Sequence, residues 1–345
     1  MRPETADVGG WFRTAREGVT LPYGAWGPGT GDHGRISDAA DLAAGLDLFR
    51  GRPTMVLTGA GMSTGSGLPD YRGPDAVPRS PMTFQEFVGS DLSRRRYWAR
   101  STVGWRFFGR ARPNAAHLAL AELARHTPIT GIVTQNVDGL HQLAGSAPVV
   151  DLHGNLADVI CLDCGARLSR ADLQADLLHL NPRYAEQLIN LAEDARTAPD
   201  GDAEVDRTED FRYPACAGCG GMLKPDVVFF GENAHRSTVA AANALLDDAD
   251  ALLVLGTSLT VMSGLRFVRR GVREGREVVI LNDGATRGDD LASLRLHGRL
   301  EEVLGAWARI TAAHPPRTTE PLRAVDSARS PAREVPHGRR TGSTP

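Results

Sequence analysis

Thr54-Met55-Val56-Leu57-Thr58-Gly59-Ala60-Gly61-Met62-Ser63-Thr64-Gly65-Ser66-Gly67 sets a short apolar run directly before a turn that carries four glycines. A strand that feeds such a turn brings backbone N–H groups up to a pyrophosphate with no Cβ in the way. The spacing Gly-x-Gly-x-x-x-Gly is one residue longer than the dinucleotide fingerprint of dehydrogenases, which makes a dehydrogenase the weaker reading. Taken alone, the stretch also fits an ordinary strand-to-helix turn.

The same alternation continues on both sides. Upstream, Ser37 or Asp38 can cap a helix whose Leu42, Leu46 and Phe49 share one face, and Gly51 and Pro53 end it. Downstream, helical patterns fill about 83–126, with a break near Pro113. Short apolar strands follow at Ile129 to Val133, near Val149-Val150, at Ala251 to Leu255 and at Glu277 to Leu281. Strands alternating with helices predict an α/β fold with a doubly wound, parallel, Rossmann-like sheet. Ligands of such sheets bind outside the carboxyl ends of the strands. The polar clusters of this chain stand at those ends: Thr134-Gln135-Asn136-Val137-Asp138-Gly139-Leu140-His141, Gly256-Thr257-Ser258 and Asn282-Asp283-Gly284.

Asn, Gln and Asp side chains at the end of a buried strand suit a ribose and a carboxamide, although the same residues favour a capped loop. His153 follows a strand and precedes a glycine at that same sheet edge. A histidine there can serve as a general base near neutral pH, while a lone histidine is more often structural. The four cysteines form two Cys-x-x-Cys pairs, Cys161/Cys164 and Cys216/Cys219, and none is left over. Two such pairs complete a tetrahedral site for structural zinc, whereas a redox dithiol would not need the second pair. The 51 residues between the pairs exceed a minimal zinc ribbon, so the inserted module carries its own insertion around Ala198 to Asp202.

Composition narrows the classes. The chain of 345 residues is 41% hydrophobic and 23% charged, as expected of a soluble globular protein. A net charge of −3 gives no reason to expect nucleic acid or an acidic membrane as a general partner. No run approaches the roughly 18 apolar residues of a membrane span, and no apolar signal segment opens the chain. Clustered cysteines in such a chain predict a reducing, cytoplasmic setting. Residues 1–36 read as an irregular extension and 313–345 as a disordered tail. Lys224 is the only lysine against a background of arginine, a usage that suggests a high-GC bacterial genome.

Together these segments resemble the sirtuins, NAD-dependent protein lysine deacylases. The resemblance rests on GAGMSTGSGLPDYRG (Gly59 to Gly73), TQNVDGLH (Thr134 to His141), His153-Gly154, the four cysteines, VVFFGE (Val227 to Glu232), GTSL (Gly256 to Leu259) and LND (Leu281 to Asp283), in that order. Within the family, Arg96 to Arg100, Val103-Gly104-Trp105 and Thr286 to Asp290 are similar to the class II branch, which includes a mitochondrial human member. Tyr71 stands where many sirtuins have Phe, and Leu68 where Ile is usual.

The resemblance implies a catalytic domain over 37–312, with NAD-binding parts at about 37–155 and 224–312 and a zinc module at about 156–223. It implies His153 as the base, with Asn136 beside it. Gly59, Ala60, Gly61, Ser63, Asp70, Tyr71, Arg72, Gln135, Asn136, Val137 and Asp138 would line the NAD pocket. Gly256, Thr257, Ser258, Asn282, Asp283, Gly284 and Leu300 would surround the adenosine half. Val227, Phe230, Gly231 and Glu232 would pair with an acyl-lysine peptide as an added strand. Tyr97 and Arg100, three apart on a helix, would hold an acidic acyl group, or else belong to a solvated arginine-rich face. The implied reaction releases nicotinamide, free lysine and O-acyl-ADP-ribose. Mono-ADP-ribosyl transfer is the alternative enzyme reading; an NAD-binding sensor and a zinc-ribbon nucleic-acid binder are non-catalytic ones.

Overall fold

The computed structural model describes residues 36–70, 81–182, 184 and 208–314. The N-terminal extension, Tyr71 and Arg72, the insertion around Asp200 and the C-terminal tail lie outside the described residues.

In chain order the strands are β1 (Thr54–Thr58), β2 (Ile129–Thr134), β3 (Val149–Asp151), β4 (Gly154–Cys161), β5 (Arg167–Ser169), β6 (Leu223–Val227), β7 (Ala251–Leu255), β8 (Glu277–Leu281) and β9 (Leu294–Leu296). The helices are α1 (Ala39–Phe49), α2 (Phe84–Gly89), α3 (Asp91–Phe108), α4 (Ala115–His126), α5 (Leu140–Leu143), α6 (Arg170–Leu180), α7 (Arg236–Asp247), α8 (Met262–Arg273) and α9 (Leu300–Ala313).

Six parallel strands form the main sheet in the order β3-β2-β1-β7-β8-β9. The chain steps outward from β1 through β2 to β3, then returns to lay β7 on the other side of β1. That reversal makes the carboxyl ends of β1 and β7 the topological switch point, where the crevice of an open α/β sheet lies. β9 is missed by pattern reading because only three residues pair and a charge, Arg295, sits in the middle.

All five β1 residues are buried, so successive side chains feed two cores. Val56 joins Leu46, Phe49, Leu120 and Trp307 on one face. Met55 and Leu57 join Leu246, Leu265 and Val268 on the other. Asp38 caps α1 in a reciprocal box with Asp41.

A third cluster joins α2 and α3 to a small antiparallel sheet, β5-β4-β6, and to α6. The junction is held by Arg170, a buried cation stacked between Trp98 and Trp105 at 5.7 and 5.1 Å. Arg170 also donates to Gln174 Oε1 at 2.7 Å and to the Ser101 carbonyl at 3.1 Å. Four apolar residues of β4 and β6 (Leu156, Val159, Leu223 and Val227) face this cluster, which seats the cysteine module beside the main sheet.

Candidate active site

Two glycine turns meet back to back at the switch point. Gly61 N–H donates to the Gly256 carbonyl at 2.9 Å, and Gly59 N–H to the Leu255 carbonyl at 3.2 Å. A Cβ on Gly61 would stand 2.9 Å from Gly256 O, and one on Gly59 would stand 2.5 Å from Thr257 Cβ. Gly256 has φ +57, and a Cβ there would meet Met62 N at 2.7 Å. This cradle packs main chain against main chain and admits no side chain, which leaves room for a dinucleotide pyrophosphate to approach the backbone closely. Gln135 is locked at the end of β2 by bonds from its side-chain amide to Thr58 O (3.2 Å) and Thr257 Oγ1 (3.0 Å).

The residues expected around the adenosine half lie along the same edge. Thr257 and Ser258 follow β7, and Asn282, Asp283 and Gly284 follow β8. Asn282 Nδ2 donates to Gly284 O at 2.8 Å, and Asp283 accepts from His297 at 2.9 Å. Leu300 opens α9 and packs against Gly256. Asp70 is the last described residue before Tyr71 and Arg72.

Beside the cradle opens a cleft of about 1040 Å³, walled by Ala60, Ser63, Gln135, Asn136, Val137, Asp138 and His153 on one side. Ser63 donates to Asp138 Oδ2 at 2.7 Å and accepts from Asn136 Nδ2 at 3.0 Å. Asp138 also accepts from Leu140 N–H at 2.9 Å. Burial raises the Asp138 carboxyl above its ordinary value, and the Ser63 and Leu140 bonds oppose that rise.

His153 is the pivot. Its Nδ1 lies 2.9 Å from the Gln135 carbonyl, which can only accept, so Nδ1 carries the proton. Nε2 is then the basic nitrogen, 2.8 Å from Ser263 Oγ. Burial holds the imidazole below its ordinary pKa; the Gln135 bond opposes this and the Arg266 charge adds to it. A neutral, oriented imidazole facing a cleft is what a general base requires.

The opposite wall is the expected peptide-docking segment. Val227 ends β6, and Val228 N–H donates to the His153 carbonyl at 2.8 Å, tying the segment to the base. Glu232 accepts from Phe229 N–H (2.9 Å) and from Lys224 Nζ (3.0 Å). Lys224 in turn stacks on Phe229 at 4.7 Å. Phe230 is 42% exposed, an apolar edge at the mouth of the cleft. Gly231 has φ +78 and lies against Gln85. Tyr97 lines the cleft, in edge contact with Phe87. Arg100, three residues on, is half-buried and is not among the cleft-lining residues.

Cys161, Cys164, Cys216 and Cys219 converge away from the cleft, with all four Sγ atoms within 4.8 Å of one another. Cys161–Cys219 and Cys164–Cys216 are 3.5 and 3.8 Å apart. Tetrahedral zinc with Zn–S near 2.3 Å requires sulfurs about 3.8 Å apart, so the four residues fit that ion. A closed four-thiolate set holds β4 to the loop before β6 and leaves no position for substrate.

A Sir2 family model matches residues 59–263. The chain is 52% identical, over 76% of its length and 92% of the relative's, to NAD-dependent protein deacetylase 1 of Mycobacterium avium.

This chain belongs to the Sir2 family.

NAD-dependent protein deacetylase 1 of Streptomyces coelicolor is 49% identical, with 80% of this chain and 90% of that one covered. Among solved structures, a Sir2–peptide–NAD+ complex superposes with TM-score 0.59 at 28% identity, covering 80% of this chain and all of that one. Against this Sir2 frame, two cleft residues escape sequence reading. Ser263 and Arg266 come from the first turns of α8, 110 and 113 residues after His153. A lone serine and one arginine of a run carry no signal until the fold sets them against the histidine.

Proposed function

We propose that this Sir2 protein is an NAD-dependent protein lysine deacylase, which moves the acyl group of an acyl-lysine to ADP-ribose and releases nicotinamide. The observation that carries the reading is the shared cleft. A neutral His153 whose basic Nε2 meets Ser263 at the cleft wall, the Asn136-Ser63-Asp138 chain and the peptide-docking segment Val227–Glu232 all border one space next to a glycine cradle. The deacetylase names of relatives near 50% identity favour this over mono-ADP-ribosyl transfer.

When bound, NAD supplies an activated ribose carbon with nicotinamide as leaving group. The turns at Gly59, Gly61 and Gly256 would let its pyrophosphate approach the main chain with no Cβ in the way. Gln135 would bind the ribose, and Asn136 and Asp138 would hold the carboxamide. His153 Nε2 would take a proton from a ribose hydroxyl, and the imidazolium so formed stays tied to the Gln135 carbonyl through Nδ1. Val227, Phe230, Gly231 and Glu232 would offer an edge to an extended acyl-lysine peptide. The apolar walls from Val137, Phe229 and Tyr97 exclude water from the reacting acyl group.

Finer parts of the reading are the class II assignment, the carboxylate role of Tyr97 and Arg100, and a single catalytic domain over 37–312 with the zinc module inserted at 156–223. Among the described residues no helix is long and apolar enough to cross a membrane. A reduced cysteine quartet suits a cytoplasmic protein.

His153→Ala tests the assignment. Turnover of an acyl-lysine peptide should fall by about 10²–10⁴-fold while NAD still binds. Near-normal turnover in that variant would remove His153 from the chemistry.

A further inference from the structure

The α8 wall of the cleft holds a pattern that the reaction does not use. Arg266, Arg269, Arg270 and Arg273 follow the i, i+3, i+4, i+7 spacing of one helix face, and all four line the cleft together with Arg236 of α7. The opposite face, including Leu265, Val268 and Gly271, is buried. Arg270 is engaged by Glu274 (2.8 Å), Asn243 (3.1 Å) and Asp247. Arg269 and Arg273 are exposed, and Arg273 reaches Glu274 only at 3.9 Å.

Arg266 differs from these. Its Nε and one Nη are buried, yet neither finds an acceptor among the described residues. The guanidinium lies 4.9 Å from the Phe267 ring centroid, so its apolar face is covered while its donors remain unmet. Buried guanidinium donors without acceptors are costly, and a carboxylate is the acceptor that best meets their forked geometry. Among the described residues, the two carboxylates that line the cleft are committed elsewhere, Asp138 to Ser63 and Glu232 to Lys224. This wall therefore presents uncompensated positive charge.

Its position identifies the ligand. α8 starts at the rim formed by Phe230, Val261 and Met262, which are 42%, 41% and 48% exposed. Arg266 lies one helical turn beyond Met262, and one turn beyond Ser263, which touches His153. The glycine cradle draws nothing from α8, and Tyr97 at the acyl side belongs to α3. Building on the deacylase reading, we infer that the arginine face of α8 selects acidic polypeptide segments. An Asp or Glu flanking the acyl-lysine would place its carboxylate on Arg266, with Arg269 and Arg273 attracting the segment from solution.

The test compares acetyl-lysine peptides that carry Asp or Glu on either side of the lysine with isosteric Asn or Gln peptides. Wild-type enzyme should show a kcat/KM ratio of roughly tenfold in favour of the acidic peptides, residing mainly in KM. The ratio should shrink toward one at about 0.5 M salt, where exposed charges are screened. Arg266→Gln should bring the ratio near one, and Arg266→Lys should retain part of it. The exposed pair Arg269→Gln/Arg273→Gln, which bears little on folding, should lower the ratio about two- to threefold and weaken its salt dependence.

Equal turnover of acidic and amide peptides by the wild type would overturn the inference. So would a rise in the KM for NAD in Arg266→Gln with the peptide ratio intact, or a preference that follows a carboxylate on the acyl group instead of the flanks. Should no acyl peptide be turned over, the deacylase reading fails. Fluorescence anisotropy of the same peptides then decides the surface by itself: tighter, salt-sensitive binding of the acidic ones sustains it, and equal binding refutes it.

Discussion

Gly256→Ala is the sharpest perturbation of the cradle at the switch point. Two separate penalties follow from the structure. The residue sits at φ +57, and an alanine held in the left-handed region costs about 1–2 kcal/mol. The new Cβ would also stand 2.7 Å from Met62 N and 2.8 Å from Gly61 C, backbone atoms that cannot rotate away. Reaching an ordinary contact of about 3.4 Å means pushing the two turns apart by roughly 0.7 Å, an overpacking worth typically 1–3 kcal/mol. The sum, about 2–5 kcal/mol, corresponds to a Tm lower by roughly 5–15 °C for a domain of this size. Misplacing the pyrophosphate cradle by most of an ångström should also lower kcat/KM for NAD by about 10–100-fold. Gly275→Ala is the control, since Gly275 has φ +76 with no atom near its Cβ position. It should lose only the conformational part and leave NAD kinetics alone. Thermal unfolding by circular dichroism and NAD titration of both variants decide the matter. Equal Tm losses, or an unaltered KM for NAD in Gly256→Ala, would refute the cradle argument.

Elemental analysis should find one zinc per chain, and Cys216→Ala should lose it with a Tm drop of more than about 10 °C; zinc-free wild type or a Cys–Cys disulfide would contradict the site. If Tyr97 and Arg100 receive an acyl carboxylate, acidic acyl-lysines should be cleaved faster than acetyl-lysine, and Arg100→Met should abolish that preference with little loss on neutral acyl groups; equal loss on all substrates would withdraw it. Burial lowers His117 to about 4, and burial with the neighbouring His117 lowers His141 to about 3. The unfolded chain takes up these protons below about pH 6.5 while the folded one does not, so these two groups lower stability as pH falls from there toward 3. His117 alone contributes about 3 kcal/mol of this loss, and urea titrations at several pH values should show a shallower fall in His141→Gln than in wild type; parallel profiles would refute it.

The parallel sheet is legible in the chain because its strands are buried on both faces and read as unbroken apolar runs, as Ala251 to Leu255 and Glu277 to Leu281 do. The polar clusters at their ends are legible for the same reason, since the fold rule places ligands there. What escapes is whatever depends on contact between distant segments. β4 and β6 alternate weakly and carry Pro225 and Lys224, so only their pairing reveals them as strands. Ser263 becomes a neighbour of His153 only because α8, packed on β7 and β8, brings its first turn across the switch point to the histidine. Arg266 reads as one charge in an arginine run until its Nε and one Nη are seen buried without an acceptor among the described residues. Arg170 would pass for a surface residue by composition, yet it is fully enclosed between two tryptophans. The Tyr97–Arg100 spacing was readable, but only Tyr97 reaches the cleft wall.

The central claim is that this Sir2 cleft transfers an acyl group from lysine to ADP-ribose. The most direct measurement incubates the full chain with NAD and an acetyl-lysine peptide and identifies the small-molecule products by mass. The account predicts nicotinamide, deacetylated peptide and O-acetyl-ADP-ribose in equal amounts, all lost together in His153→Ala. Nicotinamide released without an acetylated ADP-ribose, with ADP-ribose instead attached to a protein side chain, would contradict it.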